Sequence, residues 1–174
     1  MASIARTLNI ARPAALRLTA RATAPAATRM SLRSFSTTKN VFVKMYTKEH
    51  EWVDLSADHK TAVVGISEYA AEQLGDVVYV DLPEITGDWI DQGDTIGAVE
   101  SVKSASDINS PIRCKVTAVN SNLEEKPSII NQVPEDDSNG GGWIAKVEVD
   151  EEAVKQIETL MDADAYKAYA THDD

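Results

Sequence analysis

The sequence predicts a mainly β domain over residues 43–174, a small sandwich or barrel with short helices added. Three observations predict it. Short β-type runs alternate with Gly, Pro, Asn and Asp and not with long helices, which argues against a βαβ sheet. The chain has 174 residues, enough for one domain plus an appendage. Its hydrophobic content of 43% against 26% charged residues is that of a chain able to build a core.

The appendage is residues 1–42, which hold seven bases, ten Ala, ten Ser or Thr, and no acid. Ile4, Leu8 and Ala11 fall at helical spacing with arginines on other faces. This is the composition of a mitochondrial transit peptide, and a mitochondrial matrix location is expected. The run Arg33-Ser34-Phe35-Ser36-Thr37-Thr38 resembles a processing signal, with cleavage expected after Phe35 or Phe42. A basic arm retained on the protein is the alternative. A secretory signal fits worse, because no continuous apolar stretch is present. Residues 43–174 then carry ten bases and all 28 acids, a charge of −18 that the leader's +7 brings to −11.

Within the domain, Lys60 to Ile66 reads as a strand. Ser67 to Gly75 reads as a short helix with a Ser N-cap and a glycine stop. Val77 to Leu82 is a second strand, ended by Pro83. Further strands are expected at Thr95–Val102, Ile108–Ile112, Lys115–Val119 and Trp143–Val149. Glu135 to Gly142, rich in acid and glycine, reads as a flexible surface loop. Ala153, Val154, Ile157, Leu160 and Met161 repeat at helical spacing behind Glu151 and Glu152, which suit a helix N-terminus. Asp162 can cap a last helix carrying Tyr166 and Tyr169.

Several functions are excluded early. Cys114 is the only cysteine, so an intrachain disulfide and a cysteine zinc cluster are ruled out. A pI near 4.7 argues against a nucleic-acid partner. No apolar run approaches the roughly 18–20 residues of a membrane span. The chain has no phosphate loop, no dinucleotide-binding glycines, no nucleophile elbow, and no HExxH spacing among His50, His59 and His172. Neither a catalytic residue nor a metal ligand is therefore assigned.

One segment stands apart. Between Gly97 and Pro111, two β-type runs flank a turn of small residues with Lys103 at its apex. From Gly87 to Ile112 Lys103 is the only base, among Asp88, Asp91, Asp94, Glu100 and Asp107. Most lone lysines are simply solvated. A lysine on a tight hairpin can also be acylated by a carboxylic cofactor, which removes its charge and lengthens its arm. The domain then works as a carrier between enzymes.

The segment Glu100-Ser101-Val102-Lys103-Ser104-Ala105-Ser106-Asp107-Ile108-Asn109-Ser110-Pro111 resembles the lipoylation motif of the H-protein family of the glycine cleavage system. Tyr46 to Val53, Val64 to Ala70 and Leu74 to Pro83 resemble that family's earlier blocks. Val119-Asn120, Pro127, Ile130-Asn131, Pro134 and Gly142-Trp143 follow in its order, so the likeness spans about residues 45–170. It implies a barrel-sandwich hybrid, lipoate attached covalently to Lys103, and a carrier subunit that is not an enzyme. The partners implied are glycine decarboxylase, which uses pyridoxal phosphate, the tetrahydrofolate-dependent aminomethyltransferase, dihydrolipoamide dehydrogenase and a lipoate-attaching enzyme. A monomer is expected. Glu51 and Asp107 match family positions that line a cleft docking the arm, and Glu49 lies beside them. Biotin carriers resemble Met-Lys-Met at the turn, and lipoyl domains of 2-oxoacid dehydrogenases resemble Asp-Lys-Ala; here Val102 and Ser104 flank the lysine. A small matrix enzyme is disfavoured by the missing catalytic signatures. The chain departs from the family at Arg113-Cys114, where Ser-Gly is usual, which predicts a rebuilt or strained turn.

Overall fold

The structure, a computed structural model, describes residues 44–172; the expected transit segment lies outside them. Eight strands form two antiparallel sheets. The larger contains β1 (Met45–Tyr46), β2 (Glu51–Leu55), β3 (Thr61–Ile66), β7 (Cys114–Val119) and β8 (Ala145–Val149), in the order β1-β2-β3-β8-β7. The smaller contains β4 (Val77–Asp81), β5 (Thr95–Ser101) and β6 (Ala105–Asn109) in sequence order. The mainly β, barrel-sandwich expectation holds. Apolar side chains of both sheets meet in one core, where Val64, Val80, Val99, Ile108, Ile112, Ile144 and Val147 are almost fully buried. Each such side chain contributes roughly 1.5–3 kcal/mol by leaving water.

The short helices obey their end signals. In α1 (Glu68–Leu74), the Ser67 hydroxyl accepts from the Ala70 amide at 3.1 Å, and Gly75 ends the helix at φ 74°, a conformation that favours glycine. Asp150 caps α4 (Glu151–Ile157), and Asp162 caps α5 (Ala163–Ala170) by accepting from the Ala165 amide at 2.8 Å. The chain leaves α4 earlier than the apolar spacing predicts. Leu160 and Met161 lie beyond it, and Met161 pairs with Tyr46 of β1 through two backbone hydrogen bonds.

Three other expectations are corrected. The strand expected at Ile108–Ile112 lies three residues earlier, because the tight hairpin pairs Ala105 with Glu100 and Ser106 with Val99. Pro111 could not donate to that ladder, and pairing overrides the weak β preference of Ala-Ser-Asp. The Glu135–Gly142 loop is pinned: Glu135 accepts from the Tyr46 hydroxyl at 2.7 Å and the Glu68 amide at 3.0 Å, and Ser138 accepts from the Trp143 indole at 2.9 Å. Asn120 donates to the carbonyls of Gly141 and Trp143 from beneath it. At the Arg113-Cys114 turn the strained alternative is the one corrected, and a rebuilt turn stays compatible, since among the described non-glycine residues only His50 and His59 have positive φ.

Arg113 instead joins a surface network. Its guanidinium lies over Trp89 at 4.9 Å and pairs with Asp91 and Asp150, while its amide donates to Gln156. Cys114 opens β7 fully buried, its Sγ 3.1 Å from the Ser110 hydroxyl, and burial pushes its thiol pKa up. A thiol-specific reagent should therefore leave Cys114 unmodified in the native protein and titrate one thiol after unfolding. Rapid native-state labelling would contradict this packing.

Candidate functional site: the Lys103 hairpin and its cavities

Lys103 sits in the turn between β5 and β6, and one serine shapes that turn. The Ser101 hydroxyl accepts from the amides of Lys103 at 3.1 Å and Ser104 at 3.0 Å, and the Ser101 amide donates to the Ser104 carbonyl at 2.7 Å. The Val102 amide donates to the Asp76 carbonyl at 3.1 Å, tying the turn to the segment after α1. Asn131 holds that segment in turn, donating to the Gly75 carbonyl at 2.6 Å and accepting from the Val77 amide at 2.9 Å. The mount is rigid, and Lys103 is exposed on it.

The lysine stem runs across Gly75. A Cβ built there would lie 2.8 Å from Lys103 Cε and 3.1 Å from Nζ. The glycine that stops α1 thus also leaves room for the stem. Among the described residues no carboxylate forms a salt bridge with the ammonium. An exposed amine without an ion-pair partner, beside Ser104 and Ala105, fits acylation by a carboxylic cofactor. Burying or pairing it would have opposed that chemistry.

A cavity of about 390 Å³ opens beside the hairpin, between Ser104 and Ser106 on one side and Tyr69, Gln73 and Leu74 of α1 on the other. Glu49 and His50 stand at its edge. A second cavity of about 370 Å³ lies beyond, lined by Glu49, Glu51, Gln92, Asn109 and Met161 among others. The structure therefore brings Glu49 and Glu51 together, with Glu49 on the wall of both cavities. Glu51 is buried, and its carboxylate is already engaged: it accepts from the Asn109 amide at 2.9 Å and from the Thr47 hydroxyl. Its role in the static structure is to fasten the Thr47–Glu51 turn to the end of β6. Asp107 is not brought to this group. It faces solvent across from Ala98 on the outer side of the smaller sheet and lines neither cavity.

Sequence reasoning passed over Gly75, Ser101, His50 and Tyr166 as parts of this site. Ser101 carries a local signal, a hydroxyl two residues before an apex lysine, as hydroxyl side chains bond the backbone of turns. The others act across long sequence separations and carry none. Among the described residues no three metal-ligating side chains cluster, and no helix is long and apolar enough to cross a membrane.

Comparison with known proteins agrees with this geometry. The family model for the glycine cleavage H-protein matches residues 44–173. The glycine cleavage system H protein of Thermotoga maritima is 44% identical over 131 residues, covering 75% of this chain and 98% of that protein. The mitochondrial one of Saccharomyces cerevisiae is 45% identical over 130 residues, covering 74% of this chain and 73% of that protein. A crystal structure of the H protein from Mycobacterium marinum superposes with a TM-score of 0.58 at 32% identity, covering 76% of this chain and 97% of that one.

Proposed function

We propose, from the fact that this chain belongs to the glycine cleavage H-protein family, whose members are lipoyl carriers and not themselves catalysts, that Lys103 is the lipoylated residue. The observation that carries the reading is the exposed Lys103 amine on a turn locked by Ser101, with its stem laid over Gly75. Lys103 would hold lipoate as an amide, and the dithiolane would supply the carrier chemistry for an aminomethyl group passed between glycine decarboxylase and the tetrahydrofolate-dependent aminomethyltransferase, with dihydrolipoamide dehydrogenase as the reoxidising partner. The chain's own residues present and park the arm. The body's charge of −18 suits recognition by basic partner surfaces and speeds encounter. Intact mass of the matrix protein tests the reading: a lipoyl adduct supports it, and a biotinyl adduct or none overturns it.

The first 42 residues act as a transit peptide that directs the chain to the mitochondrial matrix, and the carrier domain begins near residue 43 and works as a monomer. The acid-free +7 segment supports the transit reading. N-terminal sequencing of the matrix protein should start at residue 36, 43 or a close neighbour. A chain beginning at Met1 in the matrix would refute it.

The Glu49 cavity wall guards the loaded arm. A protonated amine at the arm's end would meet the exposed Glu49 carboxylate first, with Glu51 behind it, each charge-assisted hydrogen bond contributing roughly 1.5–3 kcal/mol where water is excluded. Asp107 can assist only an arm swung over the outer sheet face. Glu49→Gln and Glu51→Gln should each shorten the lifetime of the loaded protein isolated from its partners, timed by ammonia release. Asp107→Asn should have the smallest effect of the three. Equal lifetimes for the glutamate variants and wild type would remove this role.

A further inference from the structure

His50 stands between Glu49 and Glu51 with φ 74°, a left-handed conformation unfavourable for a non-glycine residue. Such a residue persists only where its surroundings hold it. Here they do so from both ends. The His50 carbonyl accepts from the Ser67 amide at 2.8 Å. Its Nδ1 lies 2.8 Å from the hydroxyl of Tyr166, which projects from α5. That same phenol oxygen is 2.6 Å from the Ser67 hydroxyl, the N-cap of α1. Tyr46 stacks on the Tyr166 ring at 4.4 Å with 8° between the planes. Tyr69 and Tyr169 lie against the His50 ring at 4.8 and 6.0 Å.

The consequence is topological. The cavity beside the hairpin lies between Ser104–Ser106 and helix α1 with the Glu49–His50 turn at its edge, and one hydroxyl from the last helix binds both that turn and the start of α1. At its far end α1 stops at Gly75, against the lysine stem. The geometry points to Tyr166 as a positioning residue: its hydroxyl clamps His50 in the left-handed conformation and so sets Glu49 at the edge of the cavity beside α1 to receive the end of the arm. Burial pushes the Tyr166 pKa up to about 12, and the phenol is protonated at neutral pH as any tyrosine is. It touches no reacting atom and acts only through His50 and Ser67. The inference rests on the arm-docking reading above.

The test is Tyr166→Phe, which keeps the ring stacked on Tyr46 and removes only the hydroxyl. Two measurements on the unmodified protein read the clamp itself: hydrogen exchange at the Ser67 amide and the ¹⁵N shift of His50 Nδ1. Loss of one clamp should speed exchange at Ser67 by about tenfold, the factor set by roughly one hydrogen bond, and should move the Nδ1 resonance. In the loaded protein Tyr166→Phe should release ammonia about as fast as Glu49→Gln. Adding His50→Gly should restore most of the lifetime, because glycine adopts φ 74° without being held. A residue that merely packs would show no such rescue. Unchanged Ser67 exchange and an unchanged Nδ1 shift would overturn the clamp. If those change and the glutamate variants shorten the lifetime but Tyr166→Phe does not, the positioning role fails while arm docking survives. If neither glutamate matters, the docking reading fails, and the clamp's link to the arm falls with it.

Discussion

Lys103→Arg should abolish glycine cleavage through this protein and leave its fold intact. Arginine keeps the positive charge and most of the stem's length, but its guanidinium offers no amine that a carboxylic acid can acylate under these conditions. The position is exposed, the turn is held by the Ser101 hydroxyl and the Lys103 backbone amide, and no salt bridge is lost among the described residues. Stability should change by no more than about 0.5 kcal/mol. Three measurements check this together: an unchanged melting profile, the absence of a lipoyl mass adduct, and no glycine cleavage in a system reconstituted with the three enzymes. Cleavage persisting in the mutant would end the carrier assignment of Lys103.

The largest structural effect is expected from Trp52→Ala. Trp52 is fully buried and belongs to the aromatic cluster with Tyr46, Trp143 and Tyr166. Its indole N–H donates to the Ile66 carbonyl at 2.8 Å and, more weakly, to the Pro134 carbonyl at 3.3 Å. Gly65 packs flat against the ring, since a Cβ there would lie 2.7 Å from it. Truncation removes the ring, leaves a cavity under the larger sheet, and strips a buried carbonyl of its donor. The cost should be about 3–5 kcal/mol, a large part of the roughly 5–15 kcal/mol that holds such a domain folded. Urea unfolding of the variant should show the midpoint falling accordingly. A loss below about 1 kcal/mol would mean that the cluster is not packed as described.

Much of the fold was legible because its signals are local. Ser67, Gly75 and Asp162 mark helix ends by chemistry confined to a few residues, and each does so in the structure. The strand β2 gave no such signal. Its residues Glu51 to Asp54 are all buried, two of them acids, so the alternation that marks a half-buried strand is absent. The single-turn helices α2 (Asn122–Glu125) and α3 (Ile129–Gln132) bury Leu123 and Ile130 but are too short to show a period. At the site, the apex lysine was readable from the small residues and acids around it. The grip of Tyr166 on His50 was not, because 116 residues separate them and either residue alone reads as ordinary. The Glu135–Gly142 loop looked mobile from composition, which cannot reveal that Glu135 and Asn120 anchor it.

A stiff mount fixes one end of the arm in space, and every rotation left to it lies beyond the Lys103 backbone. On the reading proposed above, the other end would search a small shell around the hairpin, where the protein's own carboxylates would meet it at an effective concentration on the order of 1 mM. Keeping it docked nine-tenths of the time then needs an intrinsic dissociation constant of only about 0.1 mM, or about 5.5 kcal/mol. Two charge-assisted hydrogen bonds of roughly 1.5–3 kcal/mol each come close to that. A grip this loose is overcome by any enzyme that binds the arm's end with micromolar affinity. If the docking proposed above operates, tethering would let one weak site shelter the cargo in solution without competing for it at delivery.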